Sequence, residues 1–193
     1  MLEWMNYLVL LKSLFACIAL IIPLNTFALI CVHLWTRFLS FFRAAKLFMK
    51  DNISVHGTYL LLLECNTRVA LSIGKLGKMN TVPGYYLYVG SAFGPGGIHA
   101  RVRHHQQITS RPHWHMDYLH TAAELVDIWC VYGLHREHEW AHILMQSEAA
   151  IMPLKGFGSS DCNCATHLFH FDRKPVKAVL EKLLDSKLAS VEV

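Results

Sequence analysis

Tyrosine, arginine and histidine crowd one short stretch of this chain, Gly84–His105, and these are side chains that handle phosphate and protons. Arg101 and His105 lie four residues apart, so on a helix they share one face. An arginine fork matches phosphate oxygens, and a phenol donates or accepts a proton. A tyrosine at the end of the preceding strand would face both. Between Arg101 and His115 stand three arginines, four histidines and no acid. Within that run His113-Trp114-His115 pairs an aromatic, which can stack on a base, with basic neighbours that meet phosphate. Arg103, His104 and Arg111 extend this candidate nucleic-acid surface. The competing reading makes Trp114 a buried anchor for its loop.

A second group is softer. Cys162-x-Cys164-x-x-His167 gathers two thiols and an imidazole, donors that suit zinc. A structural zinc site needs four ligands, and the fourth would come from His113, His115 or Asp161. The alternative is a reduced cysteine pair that packs the carboxy-terminal strand. Cys17, Cys31, Cys65 and Cys130 sit in apolar contexts and read as small hydrophobes. Nothing in the spacing suggests a disulfide framework, which fits a reducing, cytoplasmic location.

The elements that must position these groups are legible in outline. His56–Tyr59 opens a strand through Leu60–Glu64, so rich in leucine that it is expected to be central and covered on both faces. Val69–Ile73 reads as a short second strand and Lys75–Val82 as an exposed connection, although together residues 65–82 resemble an extra hairpin. Pro83 introduces a strand over Tyr85–Val89, and Gly94–Gly97 must turn before a helix begins at Ile98. Glu124–Tyr132 is a strand apolar on both faces. A helix is expected from Glu137 to Ile151, stopped by Pro153, and a loop over Lys155–Ser160. His167–Phe171 reads as an edge strand and Pro175–Ser186 as a closing helix. No linker divides residues 49–193, and there are no internal repeats.

The hydrophobic fraction of 53% is concentrated at the front of the chain. No charged residue occurs from Ser13 to Val32, about the length that crosses a bilayer. Lys12 precedes this run while Arg37, Arg43, Lys46 and Lys50 follow it, so the positive-inside rule would leave the remainder in the cytoplasm, anchored to an inner membrane by one helix. Residues 1–48 are read either as that transmembrane anchor or as a mis-called start ahead of Met49, with a cleaved signal peptide third because the apolar run continues past Thr26-Phe27-Ala28. The formal charge of +4 arises mostly there too, since residues 49–193 hold fourteen bases against thirteen acids. Net charge therefore argues little about nucleic acid, and the local acid-free run carries that reading.

Taken together, Gly57-Thr58-Tyr59 and Tyr88-Val89-Gly90 resemble the paired signature of the GIY-YIG nuclease superfamily, and Arg101 and His105 match its R-x-x-x-H spacing. The chain is closer still to a small prokaryotic branch whose pattern here reads Gly57–Tyr59, Pro83–Ala92, His113–Leu119 and Gly156–Phe169. The resemblance implies an α+β fold, a small central, mainly antiparallel sheet flanked by helices, with the apolar segment in front. It implies a metal-dependent endonuclease that hydrolyses phosphodiesters in DNA or structured nucleic acid with Mg²⁺ or Mn²⁺. Tyr59 would be the signature tyrosine, Tyr88 its partner, Arg101 the phosphate clamp and His105 an auxiliary proton carrier. The metal carboxylate would lie on the helix after the third strand, with Glu139 first choice, Glu137 second and Glu148 third. The residues themselves leave two other functions open: a non-catalytic nucleic-acid-binding module, and a membrane-tethered interaction domain. No catalytic triad, P-loop or dinucleotide fingerprint competes, because Gly94–Gly97 lacks the lysine and serine that follow a phosphate loop.

Overall fold

The computed structural model describes residues 55–193. The expectations for the apolar segment, its membrane run at 13–32 included, lie outside the described residues. Among those described, no helix is long and apolar enough to cross a membrane.

Nine residues, Gly57–Cys65, form β1, the middle strand of the domain. Their alternation sends Tyr59, Leu61 and Leu63 to one core and Leu60 and Leu62 to the other, and all five are essentially inaccessible. A strand buried on both faces cannot alternate polar and apolar residues, which is why this one reads as an unbroken leucine run. Ala70–Ile73 (β2) and Gly77–Asn80 (β3) form a separate antiparallel hairpin. Gly84–Ser91 (β4) and Glu124–Tyr132 (β5) flank β1, both antiparallel to it. Leu168–Phe171 (β6) pairs with β4, and Ala189–Val191 (β7) pairs with β5. The sheet order is β6-β4-β1-β5-β7, five antiparallel strands.

Helices cover both faces. On the Tyr59 side lie α1 (Gly97–His105) and α2 (His115–Leu119), packed through Ile98, Val102, Met116 and Leu119. On the Leu60 side lie α3 (Glu137–Met145) and α4 (Lys177–Leu183), packed through Trp140, Leu144 and Leu180. The domain is α+β, as the sequence implied.

Four local expectations need correction. Gly77–Asn80 is a strand rather than part of an exposed connection, because Met79 is buried opposite Leu71 and closes the hairpin against the core. The helix begun at Glu137 ends at Met145, six residues short of Ile151. There Ile151 exchanges backbone hydrogen bonds with His170, at 2.9 and 2.8 Å, and is held extended ahead of Pro153. The closing helix spans only Lys177–Leu183 of the expected Pro175–Ser186, since Asp185 turns to φ 44° and ends it. Strand β7 went unread, because three residues of mixed polarity give no periodic signal.

Thr58 shows how the sheet fixes what surrounds it. Its fully buried hydroxyl donates to Leu134 O at 2.9 Å and accepts from Arg136 N–H at 2.8 Å, one residue ahead of α3. Thr58→Val keeps the shape and strands one donor and one acceptor. We expect a loss of about 2 kcal/mol in urea unfolding, with an unchanged m-value.

Candidate functional site

The site begins with a glycine. Tyr59 on β1 faces Gly90 on β4, and a Cβ at Gly90 would stand 2.3 Å from the Tyr59 ring. Only glycine lets the ring lie across β4, and that position delivers the phenol to α1. There Tyr59 Oη meets His105 Nε2 at 3.1 Å. Tyr88, on the same face of β4, lies beside both rings, with centroids 6.4 Å from Tyr59 and 6.3 Å from His105. Arg101, one turn before His105, holds its guanidinium 4.6 Å from the centre of the Trp114 ring.

These residues line an open cleft of about 540 Å³. Tyr59, Tyr88, Arg101 and His105 form one wall, His113, Trp114 and His115 another, and Glu137, His138 and Asp161 complete it. Residues from β1, β4, α1, α2, the start of α3 and the loops between them thus converge on one space, the hallmark of a binding site. Arg101 has no ion-pair partner among the described residues, which leaves its fork available to an anion.

The electrostatics follow from burial. Desolvation, reinforced by Tyr88, pushes the Tyr59 phenol well above its usual range, and desolvation with Glu137 does the same for Tyr88. His105 is driven down to about 3, first by burial and then by His120 and His104. At neutral pH this pair is therefore an uncharged phenol against an uncharged imidazole. The His105 nitrogen facing Tyr59 can accept the phenol's hydrogen bond, because no proton occupies it.

Asp117 anchors the far wall. Burial pushes its carboxyl up, but the N–H groups of His113 and Trp114, at 2.9 and 2.8 Å, and His104 at 3.0 Å outweigh that and hold it low. Trp114 consequently rests against Arg101 and His104 of α1, the His104 ring centroid lying 4.2 Å away. Half-buried, it is both an anchor for the loop and part of the cleft surface. His115 accepts from Gly158 N–H at 2.9 Å and so ties the Lys155–Ser160 loop to this wall.

Not every predicted residue arrives. Glu139, first choice for the metal carboxylate, is half-exposed, pairs with Arg136 at 2.7 Å and does not line the cleft. Two residues are about 200° of helix, enough to turn Glu137 inward and Glu139 outward. Glu148 is exposed beyond the end of α3. Arg103 and Arg111 are exposed outside the cleft, and His104 acts from behind it, through Asp117, Trp114 and His105. Asp161 enters as a second cleft carboxylate instead of as a zinc ligand.

The soft donors do converge. His138, Cys162, Cys164 and His167 present one ligand atom each within 4.8 Å of one another, a group able to hold a metal ion. His138 takes the place expected of His113, His115 or Asp161. His115 is turned toward Gly158 and Phe157, and His113 and Asp161 belong to the cleft. Nothing local in the sequence marks His138, which joins the cysteines across 26 positions of intervening chain.

Since the folded-state pKa of His105 lies below its usual 6.5, the unfolded chain binds the extra proton first. Burial lowers His115 and His120 in the same direction. Stability is therefore full above pH 6.5 and falls toward pH 3, with a slope of up to about 1.4 kcal/mol per pH unit from His105. We expect His105→Gln to flatten that slope in pH-dependent urea unfolding, and the His105 ring to show no NMR titration between pH 5 and 8.

Comparison with known proteins adds one relationship. No curated protein and no solved structure matches the chain. Residues 58–188, from the Thr58–Tyr59 motif past α4, match the family described as Domain of unknown function DUF123. The matched span contains every cleft and cluster residue named above, and the chain belongs to that family.

Proposed function

We propose that the cleft is the active site of a metal-dependent endonuclease acting on DNA or structured nucleic acid, of the GIY-YIG type that the sequence resembles. The observation that carries this reading is the convergence of Tyr59, His105, Arg101 and Glu137 on one polar cleft. Each then has a role that its environment supports. Arg101, unpaired and steadied by Trp114, binds the scissile phosphate and stabilises the charge that grows on it. Tyr59 donates its O–H to neutral His105 and orients the attacking water through its remaining lone pair. Tyr88 narrows the approach.

The residues fit a hard divalent ion. Glu137 and Asp161 offer carboxylate oxygens to the cleft, the donors that Mg²⁺ and Mn²⁺ prefer. Bound there, such an ion would lower the pKa of a water and neutralise phosphate charge. The carboxylate role accordingly passes from Glu139 to Glu137. The partner is nucleic acid, with Trp114 and His113 as the surface for a neighbouring base and phosphate. If residues 13–32 cross a membrane, the positive-inside rule sets this cleft on the cytoplasmic side.

The full chain incubated with flap, nicked, branched and single-stranded DNA and Mn²⁺ or Mg²⁺ should cut at least one substrate. Glu137→Gln and Arg101→Ala should each lose about 10²–10³-fold in single-turnover rate. Glu139→Gln should stay within about threefold of wild type, because an exposed ion pair contributes little. Equal cleavage by all three variants would sink the assignment. Salt-sensitive binding without cleavage would favour the non-catalytic module.

A further inference from the structure

Behind the cleft, α3 and the long irregular connection between α3 and β6 meet at the four soft donors. That connection, residues 146–167, carries no helix or strand, a length that compact domains rarely leave unsupported. Two contacts close its distal part on itself: Gly156 N–H donates to Ala165 O at 2.7 Å, and His167 N–H to Phe157 O at 2.8 Å. Val89 N–H on β4 pins its end through His167 O at 2.9 Å. Within that closed part, Cys162 and Cys164 stand on an exposed bend.

We propose that His138, Cys162, Cys164 and His167 bind one zinc ion that staples this connection to α3. The metric case is direct. Tetrahedral zinc with Zn–S near 2.3 Å and Zn–N near 2.0 Å sets its donors about 3.3–3.8 Å apart. His138 Nδ1 lies 3.3 Å from Cys164 Sγ, and His167 Nε2 lies 3.5 Å from Cys162 Sγ. All four donor atoms fall within 4.8 Å of one another, so small side-chain adjustments close the shell. Two thiolates and two neutral imidazoles balance the charge of the dication, with two thiol protons released to solvent.

His167 supplies an independent observation. It is only 1% exposed, and its Nδ1 has no hydrogen-bond partner. That nitrogen nevertheless faces Glu137 Oε1 at 3.3 Å, an ion-pair distance without hydrogen-bond geometry. Coordination through Nε2 would put the ring proton on Nδ1, against that carboxylate. Metal-bound histidines characteristically meet a carboxylate in this way, which fixes the tautomer and raises ligand basicity. A separate cavity of about 630 Å³ opens on His138, Cys162 and Cys164 and gives the ion a way in.

This site stands apart from the nuclease reading, since its donors are soft and the cleft's are oxygens. The two share His138, which also lines the cleft, and Glu137, a positioning residue here, so the zinc stiffens the cleft wall that carries both.

The test uses the full chain, stripped of metal under reducing conditions and titrated with Co²⁺ and then Zn²⁺. The proposal expects one equivalent bound, tetrahedral d–d bands with thiolate-to-cobalt charge transfer, and displacement by zinc. His138→Ala should weaken zinc binding by at least about tenfold, while His113→Ala leaves it unchanged. Glu137→Gln should weaken it by about 10–100-fold and keep the tetrahedral cobalt spectrum. A folded wild-type chain that shows no thiolate–cobalt band overturns the proposal without any variant. So does a His138→Ala chain with wild-type affinity.

Discussion

Two adjacent residues at the start of β1 govern this domain, because a strand sends neighbouring side chains to opposite faces. Thr58 points toward the entry of α3 and fixes Arg136 and Leu134 through its hydroxyl. Tyr59 points the other way, lies over Gly90 and meets His105 on α1. One dipeptide thus sets both helical layers against the end of the sheet. The backbone bond from Gly133 N–H to His56 O, 2.8 Å long, holds the same corner. The loop that rounds it carries Glu137 to the cleft. Any change that slips β1 by one residue exchanges the two side chains and dismantles both attachments.

Burial then decides the chemistry available. The cleft's phenols and His105 are forced neutral by desolvation, while the Arg101 guanidinium lies against the Trp114 face. A neutral acid–base pair beside an unpaired guanidinium is suited to a negatively charged substrate. It is poorly suited to a cationic or apolar one. On the other side of Glu137 the softer donors gather, so a single carboxylate borders both the cleft and the His/Cys cluster.

How much of this the sequence disclosed depended on the range of the interaction. The leucine run of β1, the glycine turn ahead of α1 and the spacing of Arg101 and His105 are local, and each appears in the structure where the pattern placed it. Gly90 was legible as part of a motif, but the reason for it, room for the Tyr59 ring, belongs to the pairing of β1 with β4. Glu137 and Glu139 share one acidic first turn, and only the crossing of α3 over the sheet end tells which faces inward. His138 looked like any exposed polar residue between two acids. Its meeting with Cys164 depends on a 26-residue separation that no period encodes. Helix α3 was drawn too long for the same reason, as its end is set by the distant bridge to His170.

The nuclease reading proposed above requires Glu137, which shares the cleft with Arg101, to hold the divalent ion. Anomalous diffraction from crystals of the full chain grown with Mn²⁺ tests it without a substrate. A manganese peak is expected in the cleft, coordinated by Glu137 and facing Arg101. A peak on Glu139 with the cleft vacant at saturating Mn²⁺ would contradict it.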